Sequence, residues 1–238
     1  SLRATWMDSH HKYLVLAFVG ETRVLAINQE DELDEAELGG FDCAALTLWC
    51  GNMAADQLVQ VVPGSVRAVD CHSGALITQW QPPAGSSLMS VAAGSPTQVV
   101  VACGGGALHL LEVSEGGITC TQTLDVGQEV ACVDITPLGS DNLRAEWMAV
   151  GTWGMAVQLY RLSAAGIAQL VTTQALEGEV IPRSIMLWSF ESRPHLLVGL
   201  GDGQLHHWKM SAETGALSER KKLVLGSKPV LLRPFRGG

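Results

Sequence analysis

Seven histidines, six cysteines and twenty-four carboxylates are material for metal binding, thiol chemistry or acid–base work. Their spacing organises none of these. His10-His11 and His206-His207 are adjacent pairs, and neighbours on a strand point to opposite faces, so His206 and His207 do not converge on one metal. His72 and His195 stand alone, whereas His109 and His206 share one position of a repeat and read as a structural column. Cys43, Cys50, Cys71, Cys103, Cys120 and Cys132 contain no C-x-x-C pair. They read as free thiols of a reducing compartment, cytoplasm or nucleus. Neither a G-x-S-x-G nucleophile elbow nor an H-E-x-x-H zinc motif is present. Gly104-Gly105-Gly106 lies between two apolar runs, while a phosphate-cradling glycine loop should open a helix. Paired carboxylates for glycoside chemistry come from separate strands and leave no local motif. The S-x-D-x-G-x-x-W box of repeated hydrolase propellers is absent, and Asp134, set in an apolar run, reads as a hydrogen-bonded structural acid. The expectation is a protein without catalysis, cofactor or metal.

Two features point to binding instead. Six carboxylates between positions 30 and 37, with no basic residue among them, read as a solvated outer strand or loop that Leu33 and Leu38 pin to the fold. Seven tryptophans are many for a chain that is 5% aromatic, so each needs a place. Trp188 and Trp208 fall in apolar strands and are expected in the core. Trp153, between Gly151-Thr152 and Gly154, falls at a break between two strands. A tryptophan there either faces outward as an interface anchor or folds back over its own blade, and position alone leaves both open.

The elements that would carry these residues repeat. A fifteen-residue unit, clearest at 148–162 (MAVGTWGMAVQLYRL), aligns without gaps to 13–27, 57–71, 99–113 and 196–210. Its third position is Val15, Val59, Val101, Val150 and Val198; its eighth is Gly20, Gly64, Gly106 and Gly203, with Met155 the exception. The eleventh is polar throughout (Arg23, Arg67, His109, Gln158, His206), and Thr22 alone breaks an otherwise apolar tenth position. Glycine at the eighth supplies the positive φ of a tight hairpin. Strand–turn–strand units at a period of roughly 45 residues mark a β-propeller. No segment keeps a helical apolar period.

The fold class is therefore all-β: one propeller domain over 1–238, with four-stranded antiparallel blades at about 1–40, 42–81, 86–124, 128–176 and 180–225. Residues 228–238 form a partial sixth blade, with 230–232 as its first strand. Five blades and a stub leave an open arc with uncovered apolar faces and strand edges, so a larger ring is expected. Nearly half the residues are hydrophobic, which suits a large core. The formal net charge of −9 opposes direct nucleic-acid binding, which needs Lys and Arg against phosphates. No apolar stretch reaches the ~18 residues of a membrane span, and no charged-then-apolar leader precedes the first strand.

Several stretches carry a resemblance: FVGETRVLAI (18–27), CGN (50–52), EVACVDITPLG (129–139), GEVIPRSI (178–185), LGDG (200–203) and ETGALSERKKLVLGSKPVLLRPFR (213–236). The chain resembles the middle propeller of a family of three-propeller adaptors. That family includes the damaged-DNA-binding adaptor of cullin-four ubiquitin ligases and relatives in splicing and pre-mRNA cleavage; the IPRSI and SERKK segments look more like the ligase adaptor. The resemblance implies a fragment of a seven-bladed propeller that docks the cullin amino-terminal region, while substrate receptors bind propellers absent from this chain. It implies a role in protein ubiquitination and the DNA-damage response, in nucleus and cytoplasm. It also places the docking tryptophan at Trp153, within Gly151, Thr152, Trp153 and Gly154, although Thr152 stands where the family has an apolar residue. The alternative is a scaffold propeller of an RNA-processing complex.

Overall fold

The computed structural model describes residues 1–28, 32–138 and 143–234. Glu30 and Asp31 of the acidic run, 139–142 of the expected blade four and 235–238 of the expected partial sixth blade lie outside them. Twenty strands form five four-stranded sheets, and no helix occurs among the described residues. Blade one holds β1 (Leu2–Arg3), β2 (His11–Phe18), β3 (Glu21–Ile27) and β4 (Leu33–Glu35). Blade two holds β5 (Trp49–Met53), β6 (Gln57–Val62), β7 (Ser65–Asp70) and β8 (Leu76–Trp80). Blade three comprises β9 (Met89–Gly94), β10 (Gln98–Cys103), β11 (Ala107–Ser114) and β12 (Gly117–Asp125). Blade four comprises β13 (Val130–Asp134), β14 (Trp147–Thr152), β15 (Ala156–Leu162) and β16 (Ala168–Ala175), and blade five β17 (Pro182–Phe190), β18 (Arg193–Leu200), β19 (Gln204–Met210) and β20 (Leu217–Val224). Every sheet is an antiparallel meander in chain order.

The core lies between blades. Four apolar clusters correspond to the four junctions of consecutive blades, for example Val59, Val61 and Val66 against Val99, Val101 and Leu111. Burying each such side chain stabilises the stack by ~1.5–3 kcal/mol. Among the described residues no buried cluster joins blade five to blade one. Leu14, Phe18 and Ile27 on the free face of blade one are exposed. Trp188, expected in the core, is only half-buried because it lies on the face of β17 opposite Ile185 and Leu187, which pack on blade four. Trp208 is buried as expected.

The valine column serves two faces. In blades one and two the central hairpin turns on two residues (Phe18↔Glu21, Val62↔Ser65), and the third-position valine pairs with the twelfth position (Val15↔Val24, Val59↔Ala68). In blades three to five the turn has three residues, and Val101, Val150 and Val198 pair with the eleventh (His109, Gln158, His206). With a side-chain period of two, that one-residue difference reverses the face. Val15 and Val59 therefore pack toward the following blade, and Val101, Val150 and Val198 toward the preceding one.

The eighth position is left-handed in four copies, at Gly20 (φ 84), Gly106 (φ 85), Gly203 (φ 91) and Met155 (φ 54). Gly64 is not, and it follows Pro63, whose fixed φ suits a type I turn that needs no positive φ. Thr22 is buried because its hydroxyl donates to the Ala45 carbonyl at 2.7 Å and meets Thr47 Oγ1 at 2.8 Å.

Of the acidic run, Leu33–Glu35 forms the exposed outer strand β4. Leu38 is buried and pins it, but Leu33 is 56% exposed and does not. Residues 230–232, expected to be a strand, are not one. The Val230 N–H donates to the Leu200 carbonyl at 3.0 Å, and Ser184 Oγ joins the Val230 carbonyl (2.8 Å) to the Leu232 N–H (3.0 Å). The segment thus spends its polar groups on blade five and builds no ladder of its own.

Candidate docking site

Trp153 opens the three-residue turn 153–155 that joins β14 to β15. Trp153 is 52% exposed, so the indole is not sealed inside the blade. The backbone beneath it is fixed on both sides. The Trp153 N–H donates to the Glu129 carbonyl at 2.8 Å, the Met155 N–H to the Thr152 carbonyl at 3.1 Å, and the Leu176 N–H to the Met155 carbonyl at 2.8 Å. Glu129 reaches the neighbouring tip as well, its carboxylate accepting the Gly105 N–H at 2.7 Å.

The four residues of the expected site divide. Thr152 is 1% exposed, with its hydroxyl turned to the Ala156 carbonyl at 3.3 Å. Gly151 is buried where an added Cβ would lie 2.6 Å from Cys132 Sγ and 3.0 Å from Pro182 Cγ. Gly151 thus lets β14 lie close against Cys132 of β13 and Pro182 of β17, and with Thr152 also buried, surface is offered by Trp153 and Gly154. Gly154 lies over Gln128, whose side chain an added Cβ would meet at 3.2 Å. Glu129 and Gln128 were not singled out in the sequence, since a main-chain acceptor leaves no side-chain signature; Met155 was visible only as the break in the glycine column.

The other candidate groups are committed elsewhere. A central cavity of about 460 Å³ is lined by Thr47, Trp49, Asp134 and Ile185 among others. Asp134 faces it with both oxygens occupied, by the Thr136 hydroxyl (2.9 Å) and the Leu187 N–H (2.7 Å). Burial pushes its carboxyl up to about 6 against the pull of those hydrogen bonds. His109 Nδ1 is 2.9 Å from Thr123 Oγ1 and its ring lies 5.2 Å from Trp80; His206 meets Arg220 at 3.2 Å and the edge of Trp208. Burial lowers the pKa of both imidazoles, which suits neutral rings packed between strands. His195 and His207 hydrogen-bond to each other at 2.7 Å on blade five. Among the described residues no three His, Cys, Asp or Glu side chains gather as metal ligands. Burial raises the Cys132 thiol to about 12, which keeps it protonated and unreactive.

Consecutive antiparallel four-stranded meanders packed face to face define a β-propeller. Residues 1–238 match the family described as the RSE1/DDB1/CPSF1 second beta-propeller, and the chain belongs to that family. It is 40% identical over 236 residues to DNA damage-binding protein 1 of Oryza sativa subsp. japonica, with 99% of this chain and 21% of that protein aligned. It is 41% identical to DNA damage-binding protein 1 of Solanum lycopersicum and 40% identical to DNA damage-binding protein 1a of Arabidopsis thaliana, with the same shares covered. The chain thus spans about one fifth of the length of these relatives.

Proposed function

We propose that this propeller is a protein-docking module of an adaptor: it binds the amino-terminal region of a cullin through Trp153, and substrate receptors engage other propellers of the same adaptor. In this reading it serves protein ubiquitination and the DNA-damage response, in nucleus and cytoplasm, and does no chemistry of its own. The observation that carries it is the half-exposed indole of Trp153 on a turn braced by Glu129, Thr152 and Leu176. Tryptophan is among the residue types most enriched at interface hot spots. The acidic chain, at −9, disfavours direct contact with nucleic acid.

The test is titration of a cullin amino-terminal segment against the wild-type chain and Trp153→Ala. Loss of a hot-spot anchor should cost on the order of 2 kcal/mol, about thirtyfold in affinity. Equal affinity for the two proteins would reject the site. Co-purification with splicing or pre-mRNA cleavage subunits in place of a cullin would move the scaffold to RNA processing.

A further inference from the structure

We propose that Met155 is a second partner-contacting side chain beside Trp153, kept at a backbone position where glycine would be more stable. The inference rests on the docking reading above. In the three-residue turns of blades three, four and five the last residue is left-handed in each case: Gly106 (φ 85), Met155 (φ 54) and Gly203 (φ 91). An L side chain there crowds the following carbonyl, a penalty glycine escapes. Neither hydrogen bond of Met155 requires a side chain, since its N–H to Thr152 and its carbonyl from Leu176 are main-chain interactions that glycine makes equally well.

The other non-glycine residues in this region have local reasons. Asp56 accepts the Trp6 N–H at 2.8 Å, Glu219 pairs with Lys209 at 2.6 Å, and Glu191-Ser192 make the tight turn between β17 and β18. None of these stands on a turn between the second and third strands of a blade. Met155 does, two residues from the exposed indole, and is itself partly exposed. Backbone strain retained at one repeat out of three, beside the site, points to use of the side chain there. A long, adaptable thioether widens the apolar surface around Trp153 and helps exclude water from its contact.

The test compares Met155→Gly, Met155→Leu and Trp153→Ala in the full chain, by thermal melting and by titration with the cullin amino-terminal segment. Met155→Gly should melt about 2 °C higher than wild type and bind about fivefold or more weakly, whereas Met155→Leu should retain most of the affinity. Stability and binding thus move in opposite directions, which a purely structural role would not produce. Met155→Gly binding as wild type while Trp153→Ala weakens would overturn the inference and leave the docking reading standing. No effect of Trp153→Ala would remove the docking reading and the inference with it. A lower melting temperature for Met155→Gly would show that the side chain is kept for packing and would also overturn the proposal.

Discussion

Asp134 on β13 accepts the Leu187 N–H of β17 at 2.7 Å, so an acid on the inner strand of one blade completes the hydrogen bonding of the next. The same carboxyl takes the Thr136 hydroxyl at 2.9 Å. Ser184 does the equivalent one blade later, tying β17 to Val230 and Leu232. At the first junction, Asn52 exchanges two hydrogen bonds with the main chain of Arg3, at 2.9 and 3.0 Å. The inner strands are joined by side chains reaching from blade to blade as well as by apolar packing.

Asp134 should give the fold a pH dependence. Its folded pKa of about 6 lies above the ~3.9 of an exposed aspartate. Between those values the folded chain binds more protons than the unfolded one, so the contribution is largest below pH ~4 and is lost as pH rises through about 6. Urea midpoints measured from pH 4 to 7 should fall across this window. Asp134→Asn, whose amide carbonyl still accepts from Leu187, should flatten that part of the profile. Asp134→Ala leaves a buried N–H unpaired and should cost ~1–3 kcal/mol at all pH values. An unchanged profile for the Asn variant would mean that another group titrates.

Glycine at 94 should be irreplaceable for a reason outside its own blade. The Trp49 ring covers Gly51 and Gly94 together: a Cβ at Gly51 would lie 2.5 Å from its edge, and one at Gly94 would fall inside the ring's contact distance. The indole is thereby wedged between blades two and three. Gly94→Ala should destabilise by ~1–3 kcal/mol, an overpacking cost, read as a lower urea midpoint with an unchanged slope. Pairing it with Trp49→Leu should recover part of the loss. If it does not, the ring is not what excludes the methyl.

The reach of sequence reasoning follows from where each constraint originates. The hairpins repeat locally, so the blades and their order were legible from the shared valine and glycine columns. The reversal of the valine face was not, because one residue of turn length decides it and a gapless alignment hides that residue. Gly51 and Gly94 look like ordinary strand glycines until the ring of Trp49 is in place. The run at 230–232 is apolar enough for a strand, yet Ser184 and Leu200 take its polar groups. At the candidate site, Trp153 stood out by residue type, whereas the tight placement of Gly151 comes from Cys132 and Pro182 in neighbouring strands.

Glu112 and Arg144 tie blade three to blade four through a bidentate pair at 2.6 and 2.8 Å. Both side chains are about three-quarters covered, so the pair is shielded better than a surface bridge, which is worth ~0–1 kcal/mol. A double-mutant cycle with Glu112→Gln and Arg144→Gln should return a coupling of about 1–2 kcal/mol that changes little between 0.05 and 0.5 M salt. Arg144→Lys should recover less than half of it, because an ammonium cannot match both oxygens. A coupling near zero would assign this junction to apolar packing alone.

Trp147 makes a comparable tie between blades four and five. Its Nε1–H donates to the Ala212 carbonyl at 3.1 Å, the Arg161 guanidinium lies 5.7 Å from its ring, and a Cβ added at Gly215 would sit 2.6 Å from the indole. Gly215 is also left-handed, with φ 68. Gly215→Ala therefore meets two obstacles, the strain of an L residue in that region and a clash with the ring, with Val171 Cγ1 also close to the added methyl at 3.3 Å. A loss of about 2–4 kcal/mol is expected, the overpacking and backbone costs combined. Trp147→Phe removes the hydrogen bond and part of the ring, should cost ~1–2 kcal/mol on its own, and should make Gly215→Ala milder by relieving the contact. Denaturant unfolding of the two single variants and the double variant checks this, and strict additivity would show that Trp147 and Gly215 act independently, leaving the backbone conformation and the Val171 contact to account for the glycine.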